Sequence, residues 1–314
     1  MSNCHNLFQQ HNTNISLTQG KRDKMTASKE ALREKIRVWF KKNHPEYIPQ
    51  FYIQGSYKMK TGIRTKDDIC DLDDGVYFFR TPDVTATTLQ SWVHQAVDGH
   101  TDTPAQHRKK CIRTIFAGDY EVDHPVYIKE EGKEYQLAVK DNGFENSDPK
   151  AMVDWFNSKK DANGQLLRIV KYLKSWCDHK RNKMPNGLSM TILASNAIQK
   201  FSLNSRDDIS LRDVLKEIKK AMDTKFECIV PVVPKDDLFI DYDSTRKANF
   251  LNALDEFISD ADKALKENNQ YRASLLWRKH LGTRFPFGID KDENASTTDQ
   301  YIIGGARTSN PWGC

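Results

Sequence analysis

The sequence predicts an α+β protein of two lobes, a sheet-bearing lobe followed by a helical one, with a cleft between them. Three observations carry this. A long amphipathic stretch stands near the N-terminus, short β-rich runs fill residues 50–139, and helical periodicity returns beyond residue 141. Clefts between lobes are where ligands usually bind.

Taken in order, residues 26–43 place Leu32, Ile36, Trp39 and Phe40 on one face at helical spacing and stop at His44-Pro45. The runs QFYI, ICDLDDGVYFF, CIRTIFAG, YEVDHPVYI and YQLAV, separated by polar turns, read as strands, with one helix near residues 87–97 between them. Helices are then predicted at 152–156, 165–178, 189–201, 211–222, 247–267 and 271–281. The small, polar stretch DENASTTDQYIIGGARTSNPWGC reads as a loosely held tail. The expected organisation is therefore residues 1–145 for the N-terminal helix and core sheet, 146–290 for the helical lobe and 291–314 for the tail.

A chain of 314 residues suits two domains or one bilobal unit. A mean hydropathy of -0.72 leaves no apolar run long enough to cross a membrane. The first residues are polar where a signal peptide needs an apolar core, which predicts a cytoplasmic protein. Cys4, Cys70, Cys111, Cys177, Cys228 and Cys314 lie far apart without a C-x-x-C pair, so they read as reduced thiols rather than a zinc knuckle or a disulfide framework. A net charge of +5 suits a site for polyanions such as nucleoside triphosphates and falls short of a dedicated DNA-binding domain.

The chemistry concentrates in IQGSYKMKTGIRTKDDICDLDDGVYF. Alternation along a strand puts Asp71 and Asp73 on one face and Leu72 and Asp74 on the other. Asp123, in YEVDHPVYI, has the same apolar setting, and paired strands run about 5 Å apart, so all three carboxylates can converge. Aspartates that close raise one another's pKa unless cations bind, and hard oxygen ligands of this charge suit Mg²⁺. The arrangement points to a two-metal site for nucleotidyl transfer. About fifteen residues earlier, Gly55-Ser56 reads as a turn opening a helix, where backbone N–H groups and a hydroxyl face a phosphate.

Gly-Ser, then hydrophobic-Asp-hydrophobic-Asp, then a later lone Asp resembles the nucleotidyltransferase superfamily of DNA polymerase β. More narrowly, QGSY, DLDDGVYF, VDHPVY and the late WRKHLGTRFP look like the bacterial cGAS/DncV-like nucleotidyltransferases (CD-NTases), which make cyclic oligonucleotide signals in anti-phage (CBASS) defence. The resemblance runs from LFQQHNTNISLT to residues 285–286.

It implies a bilobal polymerase-β-like fold with a long N-terminal helix spanning both lobes. It also implies phosphate binding by Gly55 and Ser56, with Asp71, Asp73 and Asp123 as metal ligands and catalytic carboxylates for two Mg²⁺ ions, Mn²⁺ being a substitute. Gln54 reads as a strand-end residue or as a contact to a base. Lys171, opposite the apolar stripe of QLLRIVKYLKSW, fits the lysine that relatives place on the donor triphosphate better than Lys174, which flanks the stripe. Its alternative is a solvated helix lysine. Ser189 resembles a serine that touches the triphosphate and also suits a plain N-cap. His124 reads as structural rather than as a general base. No Cys/His zinc insertion of the animal relatives is present, so direct DNA activation is not expected.

The implied activity is synthesis of a cyclic di- or trinucleotide from ATP and other NTPs, with release of pyrophosphate. The partners are those NTPs, a downstream cyclic-nucleotide effector and, through the C-terminal tail, a ubiquitin-transfer-like conjugating enzyme. Two rivals remain open at this stage: a transferase acting on an RNA end or on a protein, and a non-catalytic nucleotide sensor.

Overall fold

The computed structural model describes residues 2–291. Helix α1 (His5–Ile15) leads through a short extended link into α2 (Gln19–Asn43). There follow β1 (Gln50–Gln54), the short helix α3 (Gly55–Met59), β2 (Cys70–Phe78) and α4 (Ala86–Val97). Strands β3 (Gln106–His107), β4 (Ile112–Phe116), β5 (Tyr120–His124), β6 (Val126–Ile128), β7 (Gln136–Val139) and β8 (Gly143–Asn146) complete the sheet. Helices α5 (Pro149–Ser158), α6 (Gln165–Lys180), α7 (Gly187–Ala197), α8 (Asp207–Thr224), α9 (Ser244–Lys266) and α10 (Gln270–Leu281) form the rest. The fold is α+β, as expected, with a mixed sheet followed by helices.

The sheet runs β3-β4-β5-β2-β6-β7-β8, with β1 added on β2. Strand β2 is antiparallel to β1 and parallel to β5 and then to β6. The run YEVDHPVYI, read as one strand, is two, because Pro125 has no N–H for the ladder. Its carbonyl still accepts from Val76 N–H at 2.9 Å.

Alternation along β2 sends Leu72, Asp74, Val76 and Phe78 to the face covered by α2 and α4. There Leu72, Val76 and Phe78 pack with Leu32, Ile36, Phe40, Leu89 and Val93. Burying each such side chain contributes about 1.5–3 kcal/mol. The opposite face, with Asp71 and Asp73, is left for the cleft.

The segment joining the lobes is divided rather than one long helix. Thr18 caps α2, its hydroxyl accepting from Lys21 N–H at 3.3 Å. Helix α1, not anticipated from its polar sequence, packs in the helical lobe instead of on the sheet. Phe8 meets Tyr172, Trp277 and Phe285 edge-on at centroid distances of 5.1, 4.9 and 4.9 Å. Tyr172 Oη donates to its carbonyl at 2.9 Å. Among the described residues, no helix is long and apolar enough to cross a membrane. The expected tail, apart from residue 291, lies outside the described residues.

Candidate active site

Strand β1 ends at Gln54 and the chain turns at Gly55 with φ +59° into α3. A Cβ at residue 55 would stand 2.0 Å from Asp73 Oδ2. Glycine is required here both by the left-handed backbone and by the carboxylate lying against it. In the parallel ladder Asp73 is paired with Asp123, and Asp71 with Glu121. Four acidic side chains therefore share one face, one more than anticipated.

Their electrostatics follow from that crowding. Burial, then the Asp123 and Asp71 charges, push the Asp73 carboxyl up to about 7, opposed by Lys174 and Arg113. Asp71 is also raised, first by burial, with the Arg113 charge working against it. Asp123 is clasped by Arg113, Nε to Oδ1 and Nη2 to Oδ2, both at 2.7 Å, and the same guanidinium pairs with Glu121.

The donor set fits Mg²⁺ on chemical grounds: hard oxygens, converging on one face, whose mutual repulsion a divalent cation relieves. Among the described residues, no three such side chains are already gathered for a metal. Both Asp123 oxygens are turned to Arg113, so Asp123 joins a metal only by exchanging that partner.

Asp71 and Asp73 open on a cavity of about 860 Å³, lined also by Gln54, Gly55 and Ser56 on the sheet side, whereas Asp123, Glu121 and Arg113 lie beside it and do not line it. The helical lobe supplies Lys174, Asp178, Gly187 and Thr191, and Val230, Val232, Val233 and Pro234 add an apolar wall. The volume lies in the upper part of the range for small-molecule pockets.

The model for the nucleotidyltransferase domain of DncV-like cyclic GMP-AMP synthases matches residues 49–127, the segment that carries Gly55, Ser56, Asp71, Asp73, Arg113 and Asp123. That segment is similar to the DncV-like nucleotidyltransferase domain. A cyclic GMP-AMP synthase of Escherichia albertii is 33% identical over 144 residues, 42% of this chain and 32% of that protein. The match thus spans about a third of the curated relative's length. The Vibrio cholerae DncV cyclic AMP-GMP synthase shares the fold, with a TM-score of 0.79 and 17% identity over 90% of this chain and 97% of that one. Escherichia coli DncV, solved with 3'-deoxy GTP, gives a TM-score of 0.75 and 18% identity over 87% of this chain and 93% of that one.

Two expected nucleotide contacts fall elsewhere. Lys171, opposite the apolar stripe, does not line the cavity. Its Nζ donates to Ser16 Oγ at 3.0 Å, against the link between α1 and α2. Of the two α6 lysines it is Lys174 that lines the cavity, with Nζ bonded to the Thr61 carbonyl and hydroxyl at 3.2 and 3.0 Å. The physical reason is that the cleft borders the core rather than opposing it. The side of α6 opposite its core is covered by the N-terminal segment. Burial lowers Lys174 to about 8, with Asp73 pulling the other way.

Ser189 is fully buried and does not line the cavity. It is not the cap of α7: Asn186 is, its Oδ1 accepting from Ser189 N–H at 2.9 Å and from Ser189 Oγ at 3.1 Å. Its neighbour Thr191 faces the cavity instead. Gln54 lines the cavity, yet both ends of its amide are engaged. Nε2 donates to Tyr127 Oη and Oε1 accepts from Tyr77 Oη, each at 3.0 Å.

Asp74 points away from the cleft and is bound by Arg33 at 2.7 and 2.5 Å. His124 lies on the same core face, fully buried, with no hydrogen-bond partner among the described residues. Burial lowers it to about 4, so it is neutral, and it is turned away from the face that carries Asp71, Asp73 and Asp123.

Sequence reasoning missed Arg113, Glu121, Gly75 and Thr61. A signal for Arg113 existed, since it alternates with Ile112 and Thr114 in a strand that must run beside the acidic one. Gly75 follows from close packing: a Cβ there would stand 2.6 Å from Tyr77 Cε2 and 2.8 Å from Gln54 Oε1.

Proposed function

We propose that this protein synthesises a cyclic dinucleotide or trinucleotide from ATP and other NTPs, releasing pyrophosphate, as a signal in anti-phage defence. The observation that carries the reading is Asp71 and Asp73 of β2 set against the Gly55-Ser56 turn within one cavity large enough for nucleotides, with Asp123 paired to Asp73 on the adjoining strand. The shared fold supports it: the Vibrio cholerae enzyme has been solved with the linear intermediate 5' pppA(3',5')pG.

The reaction is attack of a 3' or 2' hydroxyl on an α-phosphate, with the bond to pyrophosphate breaking. A second such step, within the linear product, closes the ring. Asp71, Asp73 and Asp123 would hold Mg²⁺, or Mn²⁺ in its place, which supplies charge neutralisation and acidifies the attacking hydroxyl. Ser56 and the backbone of the Gly55 turn receive phosphate oxygens, and Lys174 meets the triphosphate from the helical lobe. Arg113, once exchanged from Asp123, remains at the site as a fixed positive charge. The walls contributed by both lobes exclude water from the reacting phosphate. The same reading places the enzyme in the cytoplasm with its NTPs, upstream of an effector that binds the cyclic product. Conjugation by a ubiquitin-transfer-like partner concerns the tail, outside the described residues.

The test is purified protein with Mg²⁺ and labelled NTPs in all combinations, analysed by chromatography and mass spectrometry. A phosphatase-resistant cyclic product, absent with Asp71→Ala and Asp73→Ala, is expected. Mass added to RNA or protein instead would establish the transferase alternative. Signalling that survives both substitutions in cells would establish the sensor.

A further inference from the structure

We infer that Lys150 is a positioning residue for nucleotide binding, its ammonium caged by aromatic rings so that the start of α5, and with it one wall of the cavity, is held against the sheet. This rests on the nucleotidyltransferase reading of the cavity.

Lys150 Nζ stands 3.3 Å from the Tyr52 ring centroid, 4.8 Å from Tyr77, 4.8 Å from Tyr135 and 5.9 Å from Phe79. It also donates to Tyr135 Oη at 3.2 Å. The rings come from β1, from β2 and the residue beyond its end, and from the approach to β7. The lysine comes from the first turn of α5. Tyr77 lies edge-on to both Tyr52 and Tyr135, at 5.1 and 5.6 Å with interplanar angles of 89° and 88°, so the three rings wall a corner rather than a flat stack. A cation so placed is attracted by each ring quadrupole. Ordering a long lysine side chain costs conformational entropy, and a solvated lysine would not bear that cost.

The cage couples to the cavity on both of its sides. On the helix side, Asp148 caps α5 by accepting from Ala151 N–H at 2.9 Å, and its own N–H donates to the Val233 carbonyl at 3.4 Å. Ser147, Asp148, Pro149, Met152 and Val153 all line the cavity. On the sheet side, Tyr77 Oη holds Gln54, which holds Tyr127, and Tyr77 and Tyr127 stack at 4.5 Å. Gln54 is the residue before Gly55 and lines the cavity beside it. One ammonium therefore registers the α5 wall against the strand that presents the phosphate turn.

The test compares full-length wild type with Lys150→Ala, Lys150→Met and Lys150→Arg. Thermal melts, NTP turnover and ATP and GTP affinity by calorimetry are measured on each. Loss of the caged cation is expected to raise KM and Kd about tenfold, the equivalent of one moderately desolvated cation–π contact, while kcat stays within about threefold. Lys150→Arg restores most of the affinity, because guanidinium also binds aromatic faces. Added propylammonium partly restores Lys150→Ala, and equal sodium chloride does not. Melting shifts with unchanged KM and Kd, or Lys150→Met binding like wild type, would overturn the inference and leave the functional reading intact. Wild type that neither binds nor converts NTPs would overturn both.

Discussion

Arg113 takes both carboxylate oxygens of Asp123 from directly across the antiparallel ladder, at 2.7 Å each, and reaches Glu121 with the same guanidinium. It is an internal cation occupying the ligand that the proposed metal needs. Arg113→Gln is therefore expected to lower the Mg²⁺ concentration giving half-maximal protection in thermal melts. Without Mg²⁺ the same variant should lose about 1–3 kcal/mol of stability, because crowded carboxylates are left without a partner. A melt equal to wild type in both conditions would refute this.

Gly55 offers a sharper steric case. An added methyl meets Asp73 Oδ2 at 2.0 Å and must also adopt φ +59°. Gly55→Ala is expected to cost about 1–3 kcal/mol in urea unfolding and at least about a hundredfold in turnover, since the displaced carboxylate is a metal ligand in the proposed mechanism. Turnover within a few fold of wild type would show that the turn does not set the geometry of Asp73.

The two α6 lysines make a paired prediction. Lys174→Ala should raise KM for NTPs about tenfold or more through loss of a buried charge-assisted contact. Lys171→Ala should leave KM near wild type, because its Nζ serves Ser16 away from the cavity. Lys174 stands at about 8 in the free protein, so nucleotide affinity should fall as pH rises through that value. A Kd independent of pH between about 7 and 9 would contradict the assignment.

His11 carries a pH signature far from the carboxylates. Burial, with the Arg284 charge adding to it and the Arg284 backbone opposing, lowers its ring to about 4. The unfolded chain binds that proton near 6.5, so between about 6.5 and 4 the unfolded state holds more protons than the native one. Stability from this group is complete above about 6.5 and is lost as pH falls through the window, by up to about 3 kcal/mol. His11→Phe should flatten the acid limb of a denaturant-melt series by about that amount.

Much of the site was legible because strand alternation is a strict rule. Asp71, Asp73 and Asp123 share a face as the period of two requires, and Asp74 falls behind with Arg33. The helical stripe of α6 was equally plain, but a stripe identifies only the core side. It does not say which flank meets the cleft, and that is why Lys174 rather than Lys171 reaches it. Helix α1 was hidden because Phe8, its largest apolar residue, buries among side chains more than 150 positions away. Ser189 misled for a related reason: a serine near a helix start looks like a cap until the preceding Asn186 is seen to fill that place.

The divided N-terminal segment also fixes an order of assembly. Ser2 N–H donates to the Glu267 carbonyl, and Phe8 packs on Trp277 and Phe285. Helix α1 thus completes its packing only after residues 267–285 have emerged from the ribosome. The sheet, whose pairings close within residues 50–146, has no such wait. During synthesis a formed half carries an unfinished N-terminal strap, and the cavity between the lobes comes into being last.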